Sequence, residues 1–376
     1  MDDAAHMRAA LALARRGLGE TAPNPSVGCV IVRDGRVVAR ARTAPGGRPH
    51  AETAALAAAG EAARGATAYV SLEPCSHHGR TPPCADALIA AGVARVVVGA
   101  TDPDPRVNGA GIARLRAAGI EVRAGVLEDE ALEAIAGFAS RVRRGRPLVT
   151  LKVASTLDGR IAARDGHSRW ITGTPARRMT HLMRARHDAV MVGVGTALAD
   201  DPDLTCRIPG LRASPLVRVV ADSHLRTRLT ARLVATATTT PTWMLTRAGV
   251  DPDRRAAFTG LGVRVIEVAA AEPGIDMAAA LAALGAAGLN RVLVEGGAQV
   301  AAALLRARLV DRLAWFHAPT VMGADGWPAA QAFGVATLDA MPRFVRHAVT
   351  PLGADVLTEF RRADDRSAEE GACSLE

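Results

Sequence analysis

His50-Ala51-Glu52 sets an imidazole and a carboxylate two residues apart at the start of a predicted helix, and two thiols follow at Cys75 and Cys84. One imidazole and two thiolates suit a borderline-soft tetrahedral ion such as zinc. Three protein ligands leave the fourth position to water, which marks a catalytic site, because a structural site closes that position with another side chain. Zinc lowers the pKa of a bound water to about 7 and so makes a nucleophile for an amidine-like carbon. Glu52, two residues from a ligand, can carry a proton from that water to a leaving amine. Taken singly, a His-Ala-Glu at a helix start is usually surface, and a lone cysteine is usually core. Their conjunction in this order, inside an alternating strand and helix pattern, is much rarer. It assigns His50, Cys75 and Cys84 to a metal and Glu52 to catalysis.

A second group of residues lies in the other half of the chain. Lys152 is the only lysine among 46 basic residues. Lysine and arginine differ in shape, hydration and ease of losing a proton, so a single retained ammonium is a functional candidate. Val294-Glu295-Gly296-Gly297-Ala298-Gln299 reads as a buried strand, two glycines and a helix. Glycines admit a ligand close to the backbone, and a helix N-terminus offers N–H groups to a pyrophosphate. No Gly-x-Gly-x-x-Gly follows the first strand, so the Rossmann fingerprint is missing.

The elements that must carry these residues follow from periodicity and punctuation. In the first 145 residues, helices are expected at Asp3–Gly17, His50–Ala63, Gly109–Ala118 and Glu128–Arg144, with another opening at Thr81-Pro82-Pro83, proline in its first turn. Strands are expected at Val27–Arg33, Arg36–Ala41, Ala68–Leu72, Arg95–Ala100 and Glu121–Ala124, the first two joined by the hairpin signal Asp34-Gly35. Arg141–Pro147 reads as a linker. Further strands are expected at Leu148–Ala154, Ala189–Val194, Leu216–Ala221, Thr242–Leu245, Val263–Val268, Arg291–Val294 and Leu313–Ala318. The charged end from Arg361 lacks periodicity, and residues 363–376 read as a disordered tail. The outcome is an α/β chain of two domains, 1–145 and 146–362.

Composition narrows the function. Five cysteines in 376 residues do not make a disulfide framework. The acidic start, with Asp2 and Asp3, argues against a signal peptide, and no apolar run approaches the ~20 residues of a membrane span. The expectation is a cytoplasmic enzyme with no membrane partner. The net charge is +8, but the arginines are scattered and one Tyr and six dispersed Phe make no surface for stacking bases, so no nucleic-acid partner is expected. Small anionic substrates suit the charge better. The sequence leaves the oligomeric state open, a homo-oligomer included.

The loop between the two cysteines carries the most specific pattern. Glu73-Pro74-Cys75-Ser76-His77-His78-Gly79-Arg80-Thr81-Pro82-Pro83-Cys84, with Asn24-Pro25-Ser26-Val27-Gly28, Pro49-His50-Ala51-Glu52 and Asp102-Pro103-Asp104-Pro105, closely resembles the bifunctional riboflavin biosynthesis deaminase/reductase family. The resemblance extends to about residue 362. It implies a cytidine-deaminase-like three-layer domain followed by a dihydrofolate-reductase-like domain. One zinc per chain, NADPH and a small phosphoribosyl-aminopyrimidine substrate come with it. Asn24, His77 and Arg80 are implied as contacts of that substrate in the first domain, the Asn24 carboxamide reading a pyrimidine edge with donor and acceptor. Asn108 is assigned to the start of a turn or helix. In the second domain the resemblance implies Ala154, Trp170, Thr196, Asp200, Ser223, Gly297, Ala298, Gln299, Val300, Ala301, Ala302 and Ala303 for NADPH. Lys152, Ser168, Arg184, Leu204, Arg207 and Glu295 are implied for the phosphosugar, the arginines as phosphate forks. Two departures stand out: Thr43 replaces the family's frequent His after the hairpin, and Asp104 replaces a frequent Asn. Two rival readings make different demands. A nucleic-acid deaminase requires a basic, aromatic surface, and a non-catalytic metal module requires a fourth protein ligand.

Overall fold

Alanine, leucine and methionine recur on one face of Asp3–Arg16 (α1), which buries Met7, Ala10, Leu11 and Ala14 and is capped by the Asp2 carboxylate on Ala4 N–H. The computed structural model describes residues 2–77, 79, 82–272 and 274–363. It divides into two compact units, one ending at Arg146 and the other beginning at Pro147, with Gly288–Asn290 grouped with the first. Among the described residues no helix is long and apolar enough to cross a membrane.

After α1 the first unit continues as β1 (Gly28–Arg33), β2 (Arg36–Arg42), α2 (Ala51–Ala59), β3 (Thr67–Leu72), α3 (Cys84–Ala90), β4 (Arg95–Ala100), α4 (Ala110–Ala117), β5 (Glu121–Arg123) and α5 (Glu128–Arg144). The sheet order is β2-β1-β3-β4-β5, with β1 antiparallel to both neighbours and β3, β4 and β5 parallel. Val70 and Leu72 of β3 and Val96 and Val98 of β4 face a cluster completed by Ala55, Leu88 and Leu115 from α2, α3 and α4. Tyr69 and Val97 face the opposite side, against Met7, Leu11 and Ala134 from α1 and α5. Burial on both faces explains why these strands read as continuous apolar runs. Each fully buried valine contributes about 1.5–3 kcal/mol.

The exit of β3 is held by one side chain. The buried Glu73 accepts the N–H groups of Asp102 (3.1 Å) and Gly109 (2.9 Å) on Oε2 and those of Gly111 (2.9 Å) and Ile112 (3.2 Å) on Oε1. It thereby ties the strand end to the β4–α4 loop and to the first turn of α4. A Cβ on Gly111 would lie 2.0 Å from the Pro74 carbonyl oxygen, so only glycine lets α4 approach the Pro74-Cys75 segment this closely.

The second unit runs β6 (Leu148–Ser155), β7 (Arg160–Ala162), α6 (Thr174–Ala185), β8 (Ala189–Gly193), α7 (Val194–Asp200), β9 (Val217–Ala221), α8 (Arg232–Ala235), β10 (Thr242–Arg247), α9 (Pro252–Gly260) and β11 (Arg264–Val268). It continues as β12 (Ala270–Ala271), β13 (Gly274–Ile275), α10 (Met277–Ala286), β14 (Arg291–Glu295), α11 (Ala298–Arg306), β15 (Arg312–His317), β16 (Trp327–Pro328), β17 (Phe344–Leu352) and β18 (Asp355–Arg362). Nine strands form one sheet in the order β11-β10-β9-β8-β14-β6-β15-β18-β17. The run from β11 to β15 is parallel, and β18 and β17 add antiparallel. The late strand β14 lies between β8 and β6, and ligands of open α/β sheets bind where strand order switches, outside the carboxyl ends.

The structure departs from the sequence expectations in four places. Arg141–Arg144 are not linker but the last turn of α5, where cations suit the helix dipole. Pro82 and Pro83 precede α3, which starts at Cys84 with Pro83 as its cap, so no proline sits in its first turn. The α-helix after His50 ends at Ala59 because Gly60 takes φ 53°, and a 3₁₀ turn completes the segment to Ala63. The hairpin β17–β18 was not expected, and Arg361 and Arg362 end its second strand. Of the expected tail, residues 364–376 lie outside the described residues.

Removing the Glu73 carboxylate leaves four main-chain N–H groups without their acceptor, each worth about 1–3 kcal/mol if it stays dry. With partial rehydration, Glu73→Ala lowers the stability of the first unit by about 3 kcal/mol in urea unfolding. An unchanged unfolding midpoint contradicts this role.

Candidate active site

Three segments of the first unit end at one point. His50 is the residue before α2, its ring making no hydrogen bond to the helix end; Cys75 follows β3; Cys84 opens α3. His50 Nδ1 is 3.3 Å from Cys84 Sγ and 3.8 Å from Cys75 Sγ, and all three donor atoms lie within 4.8 Å of one another. A tetrahedral zinc with its usual Zn–N and Zn–S bonds sets nitrogen and sulfur about 3.6 Å apart. The two observed separations bracket that value, so this donor set fits the ion. Cys84 N–H donates to Cys75 Sγ at 3.3 Å, and Ala85 N–H to the Cys75 carbonyl at 3.2 Å, which fixes the loop end against the helix. The hydrogen bond with Cys84, aided by the imidazole, pulls the Cys75 thiol down to about 4, while the same bond and burial push Cys84 up. A thiol must lose its proton to ligate a dication, so metal binding at this pair releases protons.

Glu52 sits in the first turn of α2 and is buried; burial pushes its carboxyl up to about 7. Asp102, also buried, is raised to about 6 by burial and by the nearby Asp104, Glu73 and Cys75. Asn24 donates from Nδ2 to the Gly47 carbonyl at 2.7 Å, which commits one amide hydrogen and leaves Oδ1 as its acceptor. His77 is half-buried, near enough for its charge to lower Asp104, whose main cause of lowering is the pair with Arg106. Arg80 and His78 lie outside the described residues.

In the second unit Ala154, Ser223, Glu295 and Gly297 lie at or just after the carboxyl ends of parallel strands. Glu295 pairs in register with Lys152 across β14 and β6, and Lys152 with Ala314 across β6 and β15. Lys152 is half-buried, its Nζ 5.3 Å from the Phe316 ring centre, and burial lowers its pKa against the opposing pull of Glu295. Arg184 Nε and Nη2 donate to Glu295 Oε1 and Oε2 at 2.6 and 2.9 Å, and Arg184 Nη1 donates to the Thr205 carbonyl at 2.9 Å. Burial would raise the Glu295 carboxyl, but Arg184 and Lys152 outweigh it and hold it low. The Arg184 edge expected to fork a phosphate is therefore occupied by Glu295, and Arg207, exposed, is the arginine with its side chain toward solvent.

Gly296 and Gly297 take φ 82° and 92° between β14 and α11, and Thr196 Oγ1 stands 3.5 Å from the Cβ position of each. A side chain at either glycine is strained, and the turn leaves the first N–H groups of α11 without intrahelical partners. Ala298, Gln299 and Val300 form that first turn. Ala298, Val300, Ala301 and Ala302 are buried, Ala303 is half-buried, and Ala301 N–H is bonded to the Gly297 carbonyl. Ala154 lies near the end of β6, and Ser223 follows β9 with its carbonyl accepting Thr246 Oγ1 at 3.1 Å. Asp200 ends α7, its carbonyl accepting Arg169 Nη2 at 3.2 Å. Trp170 is exposed beneath the Arg177 guanidinium, 4.7 Å from the ring centre, and Ser168 is half-buried on the same connection. The Leu204 side chain belongs to the core, with its backbone at φ 51°, so only its main chain can face a ligand.

Residues 147–357 match the RibD C-terminal domain, and residues 1–100 match the cytidine and deoxycytidylate deaminase zinc-binding region. The chain is 42% identical over 367 residues to riboflavin biosynthesis protein RibD of Escherichia coli K12, covering 95% of this chain and 98% of that one. The chain belongs to the RibD family. The RibD protein of Aquifex aeolicus VF5 is 38% identical over 360 residues, covering 96% and 98%. Acinetobacter baumannii RibD superposes with a TM-score of 0.86 at 38% identity, over 96% of this chain and 99% of that chain. A Thermotoga maritima structure described as a diaminohydroxyphosphoribosylaminopyrimidine deaminase/5-amino-6-(5-phosphoribosylamino)uracil reductase gives 0.83 at 35% identity, with coverage of 96% and 99%. The expected fold class, a cytidine-deaminase-like domain followed by a dihydrofolate-reductase-like one, is that of the RibD family. The family's two activities, a zinc-dependent deaminase and an NADPH-dependent reductase of riboflavin biosynthesis, are those of this chain.

Sequence reasoning passed over two residues beside the RibD zinc site. Thr53 Oγ1 is 4.0 Å from Cys84 Sγ, with nothing in its sequence context to mark it. Asp102 was quoted only as part of a motif, and its acid position in Asp102-Pro103-Asp104-Pro105 was the available signal. The purified protein holds about one zinc per chain, and Cys75→Ser and Cys84→Ser each lose it by atomic absorption. Full zinc content in both variants contradicts the ligand set.

Proposed function

We propose that the unit of residues 1–145 deaminates 2,5-diamino-6-(5-phosphoribosylamino)pyrimidin-4(3H)-one and that residues 146–362 reduce the deaminated product to 5-amino-6-(5-phosphoribitylamino)uracil, with residues 363–376 a tail outside both. The observation that carries the first half is the meeting of His50, Cys75 and Cys84 within 4.8 Å beside the buried Glu52. These three side chains would hold zinc, which would supply a water acidic enough to attack near neutral pH. Glu52 takes a proton on its carboxylate from the attacking water and delivers it to the 2-amino nitrogen, which leaves as ammonia as the ring carbon gains its oxygen. A carboxyl lifted to about 7 suits both halves of that transfer. Asn24 offers Oδ1 to the pyrimidine edge, and His77 and Arg80 are assigned to the substrate by the family's motif between Cys75 and Cys84.

In the second half, NADPH supplies the hydride, and the chain's part is to place it and exclude water. Ala154, Thr196, Ser223 and the segment Gly297–Ala303 would hold the cofactor, with Asp200 at the end of α7 and Trp170 on the connection before α6. Arg207 forks the substrate phosphate, Arg184 adds a charge fixed by Glu295, and Lys152 meets the ribose being reduced, with Ser168 and the Leu204 main chain beside it. Thiolate ligands and an NADPH supply both belong to a reducing compartment, which supports the cytoplasm as the place of work.

Glu52→Gln keeps the size of the side chain and removes its proton exchange, so ammonia release falls by at least ~100-fold. NADPH oxidation with pre-deaminated substrate continues at the parent rate. Loss of both activities together contradicts the division into two sites.

A further inference from the structure

His181 lies on α6 three residues before Arg184, hence on the same face, and both grip the segment Thr205-Cys206-Arg207. The Thr205 carbonyl accepts Arg184 Nη1 at 2.9 Å and lies 3.2 Å from His181 Nδ1. Cys206 Sγ donates to the His181 carbonyl at 3.3 Å. Arg207 Nε stands 3.4 Å from His181 Nε2, and its main-chain nitrogen 3.3 Å from His181 Nδ1. With the Arg207 Nε–H donated to Nε2, the neutral ring keeps its proton on Nδ1 facing the Thr205 carbonyl, and the Arg207 main-chain N–H, also directed at Nδ1, goes without that acceptor. Protonation of Nε2 would set two donors against each other. Burial, reinforced by the charges of Arg184 and Arg207, lowers the His181 pKa and keeps the ring neutral, so that Nε2 can accept.

We infer that His181 is a positioning residue of the reductase half: by accepting Nε–H it fixes the Arg207 guanidinium so that the edge carrying both Nη groups meets the substrate's phosphate. The inference rests on the reading of Arg207 as the phosphate contact. Arg184, which shares the same helix face, is already immobilised by Glu295. His181 gives the exposed Arg207 the restraint that Glu295 gives Arg184. An arginine held at Nε spends less side-chain entropy when it binds a phosphate than one that swings freely. The effect belongs to binding and not to hydride transfer.

Reductase kinetics of the zinc-loaded full chain, with pre-deaminated substrate and with inorganic phosphate as competitive inhibitor, tests this. His181→Ala removes one hydrogen bond and the restraint, worth up to about tenfold. KM and the phosphate inhibition constant both rise by that factor, kcat stays within twofold, and the deaminase rate is unchanged. His181→Gln, which keeps an acceptor and a donor, restores most of the loss. In an Arg207→Ala background His181→Ala adds nothing further. If Arg207→Ala weakens phosphate binding while His181→Ala and His181→Gln both match the parent, the positioning role is overturned and the Arg207 reading stands. If Arg207→Ala itself changes neither constant, the Arg207 reading falls and takes this inference with it. A drop in kcat at constant KM in His181→Ala also overturns it.

Discussion

Everything in the first unit serves the convergence of one ring nitrogen and two sulfurs on a single point. No two of the three donors come from one element: one precedes α2, one follows β3 and one opens α3. Their separations are set by main-chain positions that other interactions must hold. Glu73 does this for the strand exit with four accepted hydrogen bonds, and Gly111 does it by having no side chain to push Pro74 away. The Cys84 N–H on Cys75 Sγ closes the loop. Glu52 then follows from helix geometry alone, one half-turn beyond His50 and turned inward.

The second unit solves a different problem with a different device. Its seven parallel strands all end on one edge, so residues far apart in sequence share that edge without any long-range side-chain design. Charge is the difficulty there. A half-buried ammonium, a buried carboxylate and a partly buried guanidinium stand together, and the bidentate Arg184–Glu295 pair satisfies the carboxylate while Lys152 sits beside it. Breaking one member leaves an uncompensated charge, which is costly in such surroundings.

Most of the fold was legible because buried parallel strands write themselves as apolar runs and the helices carry caps and clear stops. The meeting of His50, Cys75 and Cys84 was legible because ligand softness and motif spacing both show in the sequence. The β17–β18 hairpin was not, since β17 is largely exposed and buries too little to alternate clearly. Arg141–Arg144 misled because a charged last turn and a linker look alike in composition. The two family departures become intelligible only in three dimensions. Thr43 is buried, with Oγ1 accepting Val27 N–H at 3.0 Å, so it secures the start of β1. Asp104 is buried and held by the Arg106 guanidinium, at 2.9 and 3.0 Å from Nε. Neither Glu73 nor His181 could be found from sequence, because their partners are main-chain groups or residues more than twenty positions away.

X-ray absorption at the zinc edge of the purified enzyme reads the central claim without passing through activity. The account predicts two sulfur neighbours near 2.3 Å and two lighter ones near 2.0 Å, one of the latter exchanging with added small ligands. A shell with fewer than two sulfurs, or one in which no light neighbour exchanges, contradicts it.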